Sequence, residues 1–288
     1  MTEPGQQAQS AEKPISWPEG TQVLGETALK RAHIVAIGRS GVGKSFQVKL
    51  LTERFGVDSV LVVAAEDSSA TYELGTRIKR VKRLSDVAGL FKNMEKAALV
   101  GARVAPIVVV DSWSGIGDFE WEYYREKPIL SERTGNPDTL AAYQKLGYEG
   151  ISALKAAREL CPVTVISFFT SAESGPGVPP TICFPGKLMN DSIGRLSTVA
   201  FYMKAEQLKA KPADVQAKFA DGVPKNISLG RDEDGDLDGT VVARYFYTMD
   251  TGEVQAKGHW ALNIKERAIL PDVLVKMGLI GEKGATKP

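Results

Sequence analysis

Cysteine is almost missing from this chain. Cys161 and Cys183 are the only two in 288 residues. Two isolated thiols exclude a disulfide framework and a zinc knuckle. They fit a reducing compartment, with Cys161 reading as a core residue. A charge excess is also missing: 36 Lys plus Arg face 35 Asp plus Glu. That balance excludes a globally basic nucleic-acid binder, while leaving local patches open. No stretch approaches the roughly 18 apolar residues of a membrane-spanning helix. The opening MTEPGQQAQSAEKPISWPEG has no basic region followed by an apolar run, so it does not read as a signal peptide. The expectation is a cytoplasmic protein.

What is present is an ordinary hydrophobic fraction, 43%, in a chain long enough to bury a core without covalent staples. Residues 1–20 are rich in Gln, Pro, Glu and Ser and predict a flexible arm. Residues 21–280 read as one domain, and 281–288 as a tail. From His33 onward, short apolar runs alternate with helical patterns. HIVAIG, SVLVVAAE, PIVVVDS and PVTVISFF read as buried strands. KSFQVKLLTERFG reads as a helix stopped by Gly56. LSDVAGLFKNMEKAALVG reads as a helix with Ser85 as its N-cap and Val87, Leu90, Phe91, Met94 and Leu99 on one side. Residues 139–160 form a long helical pattern. LSTVAFYMKAE and TVVARYFYTM read as further strands, and AILPDVLVKMG as a short closing helix. Continuous apolar strands separated by helices predict an α/β fold, a mostly parallel sheet covered on both faces, with an antiparallel C-terminal extension. Two segments break the pattern. Residues 113–138 mix Trp113, Trp121, Tyr123 and Tyr124 with glycine and charge. Residues 205–239 are Lys-rich (Lys209, Lys211, Lys218, Lys225), then acidic (Asp232, Glu233, Asp234, Asp236, Asp238), and predict a mobile charged loop.

One octet carries specific chemistry. Gly38, Arg39, Ser40, Gly41, Val42, Gly43, Lys44 and Ser45 match G-x-x-x-x-G-K-[ST], the P-loop or Walker A pattern, between a predicted strand and a predicted helix that runs on through Phe46. Glycines let the backbone curl so that successive N–H groups face phosphate oxygens. The helix beginning there adds the positive end of its dipole. Lys44 is placed for the β- and γ-phosphates, and the Ser45 hydroxyl for Mg²⁺. The ligands implied are ATP and Mg²⁺. A second metal-side carboxylate belongs at the end of a neighbouring strand, where Asp111 follows four aliphatic residues in PIVVVDS, a Walker B arrangement. Glu66, ending the second strand, stands where a group orienting water would stand. Asp67 shares that edge. Thr170 and Ser171, ending the fourth strand, are candidates for sensing a γ-phosphate.

With these pieces in order, the chain resembles the phage-type RecA-like P-loop ATPases, an AAA-domain family that includes members associated with single-strand annealing proteins. The resemblance spans roughly residues 30–280. It rests on GRSGVGKS, Glu66, LSDVAGLFKNME before PIVVVDSWSGI, CPVTVISFFTSAE, FPGKLMNDSIGRLSTVAFYMKAE, and the aromatic ARYFYT followed by GEVQAKGHW. It implies a RecA-type core, Mg-ATP hydrolysis, and a homo-oligomer, ring or filament, in which basic residues of one subunit reach the nucleotide of the next. Lys257 matches the family's late lysine. The further basic residue often found after it is replaced by Gly258, His259 and Trp260. Arg244 is the alternative, and a solvated hairpin lysine is the other reading of Lys257. The resemblance implies action on single-stranded DNA in phage recombination, annealing or replication, in the host cytoplasm, beside an annealing or replication partner.

Within FPGKLMNDSIGRLST, a DNA-facing loop is expected, with Lys187 and Arg195 toward phosphates and backbone near Gly186 and Gly194. Trp121, Tyr123 and Tyr124 are candidates for base stacking. The sequence DGDLDG, 234–239, matches the first half of a calcium loop, but its twelfth position is Tyr245 rather than Glu, so an acidic turn is expected. Two other functions stay open: an ATP-dependent switch or loader recruiting a partner, and a small-molecule or nucleotide kinase. The kinase needs an Arg-rich lid, and residues 205–239 offer only Arg231.

Overall fold

A computed structural model describes residues 32–65, 72–160, 163–172, 181–185, 187–248 and 262–280. The N-terminal arm and the C-terminal tail lie outside these residues. Parallel strands form the centre: β1 (Ala32–Gly38), β2 (Val60–Ala64), β3 (Arg77–Arg80), β4 (Ile107–Asp111), β5 (Thr164–Ala172) and β7 (Val199–Lys209). β6 (Thr181–Ile182), β8 (Ile227–Arg231), β9 (Leu237–Tyr247) and β10 (Lys265–Arg267) add antiparallel pairings. The order across the sheet is β10-β9-β7-β1-β5-β4-β2-β3, with β6 on β5 and β8 on β9. This is the expected α/β architecture, mainly parallel with an antiparallel extension.

The apolar runs follow from burial on both faces. All seven residues of β1 are buried. Ile34 and Ala36 face a core built with Val48, Leu51 and Phe55 of α1 (Lys44–Phe55) and Leu270, Val273 and Leu274 of α7 (Leu270–Lys276). Val35 and Ile37 face the opposite core. That core is closed by α2 (Leu84–Leu99), α3 (Trp113–Glu126), α4 (Thr139–Glu159) and α5 (Lys187–Leu196). Gly56 ends α1 as expected, with positive φ and its N–H donating to Thr52 O at 2.9 Å. Among the described residues, no helix is long and apolar enough to cross a membrane.

Five expectations need correction. Residues 113–126 are a helix, not an irregular segment. Trp113 and Ile116 are fully buried against the sheet, so its aromatic and glycine content reflects close packing. At Gly117, for example, an added Cβ would fall 2.7 Å from Phe184. The segment around Lys187 and Arg195 is helix α5, not a loop, with Met189, Ile193 and Leu196 buried. Gly186 lies outside the described residues. Residues 205–239 are built into the end of β7, α6 (Pro212–Lys218), β8 and the start of β9. Eight rungs join β7 to β9, from Tyr202↔Tyr247 to Lys209↔Thr240. Residues 205–209, the end of β7, are ordered by ladder hydrogen bonds while most of their side chains are exposed, so hydrophobic patterning was silent there.

Ser85 does not cap α2. The helix begins at Leu84, and the Leu84 N–H donates to Glu120 Oε2 at 2.8 Å. Glu120 is fully buried and also takes Arg83, with Nε at 2.8 Å and a second nitrogen at 2.7 Å. A long-range carboxylate thus does what a local hydroxyl was expected to do. Leu99, expected on the apolar side, is 81% exposed.

Candidate functional site

The octet joins β1 to α1 at the carboxyl edge of the parallel strands. Gly41 and Gly43 have φ of 74° and 102°, a region that favours glycine. Gly38 is required for a different reason. Its φ is not positive, but a Cβ there would sit 2.8 Å from Met203 O on β7 and 3.0 Å from Val42. Arg39, Ser40 and Gly41 are exposed, Val42 is buried in the α1-side core, and Ser45 and Phe46 are half-buried in the first turn of α1.

Lys44 is buried. Its Nζ donates to Gly38 O at 2.8 Å and Arg39 O at 2.7 Å, folding the side chain back onto the loop. Burial lowers its pKa to about 8, with Asp111 and Cys183 acting in the opposite direction. A buried ammonium whose hydrogen bonds among the described residues go to carbonyls is one that an anion would stabilise.

Asp111 ends β4 and is buried. β5 lies between β4 and β1, with Gly38↔Thr170 on one side and Val110↔Ser167 on the other. This separates Asp111 from the P-loop strand by the single strand β5, at the same edge. Its Oδ2 accepts from Tyr72 Oη at 2.9 Å. The next peptide, Asp111–Ser112, is cis. Ser112 Oγ caps α3 by accepting from Gly115 N at 3.2 Å. Ser114 Oγ accepts from Thr170 N at 2.9 Å, tying the end of β5 to the first turn of α3. Ser171 is buried, and its Oγ has no hydrogen-bond partner, an orphaned polar atom at this edge.

The donor set fits ATP with Mg²⁺. Mg²⁺ prefers oxygen ligands, keeps waters and takes few protein groups. The hydroxyl of Ser45 and the carboxylate of Asp111 are of that kind. The buried Lys44 suits the phosphates themselves. Glu66 and Lys257, the other two sequence candidates, lie outside the described residues, as does Asp67. Ala64 pairs with Asp111 in register, so β2 does end at this edge, just before Glu66.

Other candidates are placed elsewhere. Tyr124 is buried, with its Oη donating to Glu149 at 3.0 Å. Trp121 stacks on Tyr143 at 4.1 Å, and Tyr123 lies under Arg83 at 3.5 Å. These rings are engaged within the helical layer. The acidic run is the β8–β9 turn, where Asp232 Oδ1 accepts from Asp234 N at 3.1 Å and Asp236 N at 2.9 Å. Tyr245 lies on β9, as expected of an acidic turn and not of a calcium loop.

Two groups at the site were not assigned these places from sequence. Tyr72 gave no signal, since a tyrosine 39 positions from Asp111 is an ordinary residue until the chain folds. Arg244 was noted, but toward a neighbouring subunit. The structure places it on its own P-loop. Its Nε donates to Val42 O at 3.0 Å and its Nη1 to Ser228 Oγ at 2.8 Å. The available signal was a charged residue on the same strand face as Val242 and Phe246, of which Phe246 is buried.

No protein-family model matches this sequence, and no curated protein matches it. Solved structures give loose overlays. One is a prototypical ATPase from the type III secretion system of pathogenic bacteria, 13% identical, with 65% of this chain and 54% of that chain covered and a TM-score of 0.38. Another is a DnaB-like replicative helicase studied with its interactions with primase, 11% identical, with 77% and 57% covered and a TM-score of 0.38. The chain spans just over half the length of each.

Proposed function

We propose that this protein is a RecA-like P-loop ATPase that binds and hydrolyses Mg-ATP, and that it acts on single-stranded DNA in phage recombination, annealing or replication. The observation that carries the nucleotide part is the buried Lys44 at the strand-to-helix junction, with Asp111 separated from the P-loop strand by the single strand β5 at the same sheet edge. In this reading the octet's N–H groups and the start of α1 hold the phosphates. Lys44 leaves the Gly38 and Arg39 carbonyls for the β- and γ-phosphate oxygens. Ser45 and Asp111 would hold Mg²⁺, which when bound would neutralise charge developing on the phosphates. Glu66 orients the attacking water, and Thr170 or Ser171 reads the terminal phosphate. Lys257 acts toward a neighbouring subunit in a homo-oligomer. The DNA substrate, the annealing partner and the cytoplasmic setting rest on the resemblance in sequence.

The test is phosphate release from Mg-ATP, with and without single-stranded DNA, at two salt concentrations. The expected result is turnover that DNA stimulates and salt suppresses, as a phosphate-backbone contact requires, and that Lys44→Ala abolishes. Unchanged turnover in Lys44→Ala would sink the mechanism. Turnover indifferent to DNA would favour the switch or loader. A phosphorylated product from a panel of nucleosides and nucleotides would favour the kinase.

A further inference from the structure

Three glycines among eight residues give the octet wide backbone freedom. A loop ordered only by its ligand loses affinity to that ordering. Something outside the loop should therefore hold its shape, and β9 supplies a candidate.

Arg244 reaches the loop from outside. Its Nε donates to the Val42 carbonyl, while Cδ and Nε lie 3.3 Å from where a Cβ on Gly43 would be. Glycine at 43 thus serves twice, for its φ and for this close approach. The Val42–Gly43 peptide is trans, so its C=O and N–H point in opposite directions. Holding the carbonyl toward β9 turns the Gly43 N–H away from β9. In the sheet order, β9 and the Asp111 strand β4 lie on opposite sides of β1. On this reading the Gly43 donor is turned from β9 toward the β4 side of β1, where phosphate oxygens and metal are expected.

The arginine is itself held. Its N–H donates to Asn226 O at 2.9 Å, and its carbonyl accepts from Ala268 N at 3.0 Å and Asn226 Nδ2 at 3.2 Å. Its second donor goes to Ser228 on β8 at 2.8 Å. The guanidinium thereby bridges the P-loop to the β8–β9 hairpin.

We propose that Arg244 is a positioning residue acting within its own subunit. It pins the Val42–Gly43 peptide in its phosphate-binding orientation, and through Ser228 it couples the β8–β9 hairpin to the affinity of the octet for nucleotide phosphates. This rests on the octet being a nucleotide site. It replaces the sequence-based alternative of Arg244 reaching into a neighbour.

The experiment is equilibrium titration with a fluorescent ADP analogue, plus steady-state turnover, on the full chain. The variants are Arg244→Ala, Arg244→Lys, Ser228→Ala and Lys44→Ala. Loss of a charge-assisted hydrogen bond predicts affinity about tenfold weaker, or more, in Arg244→Ala, with a much smaller change in kcat at saturation. Arg244→Lys should be intermediate, because one ammonium cannot reproduce the two-armed contact. Ser228→Ala should shift affinity the same way by less. Should Arg244→Ala not fold, Arg244→Lys and Ser228→Ala decide, and wild-type affinity in both overturns the proposal. A collapse of kcat with affinity retained, rescued by mixing Arg244→Ala with Lys44→Ala subunits, also overturns it, since the arginine would then serve a neighbour. A wild-type chain that binds no nucleotide sinks the reading of the octet itself, and this inference with it.

Discussion

His33 sits at the second position of β1 and offers a sharp pH test of the fold. The ring is fully enclosed. Nδ1 lies 2.8 Å from Leu196 O, and Nε2 lies 2.7 Å from Ser167 Oγ. A carbonyl can only accept, so Nδ1 carries the proton of the neutral ring and Nε2 accepts from the Ser167 hydroxyl. Burial lowers the pKa from 6.5 to about 4; the Leu196 carbonyl acts in the opposite direction, and the positive charge of Arg158 adds to the lowering. The unfolded chain therefore takes up the proton first. Stability from neutral His33 is complete above about pH 6.5 and is lost as pH falls toward 4. The full loss is about 3 kcal/mol, of which about 2 kcal/mol falls between pH 7 and pH 5. The assay is urea unfolding across that range for the wild type and His33→Asn, whose amide can still donate to Leu196 O. The variant should be less stable at pH 7, and the gap should close by about 2 kcal/mol at pH 5. Parallel pH profiles for the two proteins would refute the reasoning, because carboxylates elsewhere contribute equally to both.

Glu120→Ala strands the Arg83 guanidinium and the buried Leu84 N–H together. Because Arg83 keeps 30% of its side-chain surface in water, a loss near the low end for broken buried pairs is expected, about 3 kcal/mol in urea unfolding. Glu120→Gln, which can still accept from Leu84 N, should lose clearly less, and equal losses would deny the capping role. Gly38→Ala pushes a methyl against the Met203 carbonyl and should lower stability by about 2 kcal/mol, read as a drop in the urea midpoint. An unchanged midpoint would show that β1 and β7 can part without cost.

Much of the site was legible beforehand because its chemistry is local. The octet is one contiguous strand-to-helix junction and Asp111 ends an apolar strand, so both appear as short patterns in the chain. The α/β class was legible too, since strands covered on both faces have to be apolar throughout. Irregular-looking stretches misled for equally physical reasons. In α3, Gly117 answers to the packing of Phe184 rather than to a turn. At the end of β7, residues 205–209, the ladder orders residues whose side chains are mostly exposed.

By itself, the sequence determined the glycine-rich octet, the strand that leads to it, the helix that leaves it and the strand that Asp111 ends. Only the tertiary structure decided which distant groups complete them. Glu120 caps α2 from 36 positions away, Tyr72 holds Asp111 from 39, and Arg244 braces Val42 from 202. Such contacts leave no periodicity or spacing to read. They arise because a parallel sheet brings strand ends that are far apart in the chain to one edge, where a few hydrogen bonds between remote side chains fix the geometry.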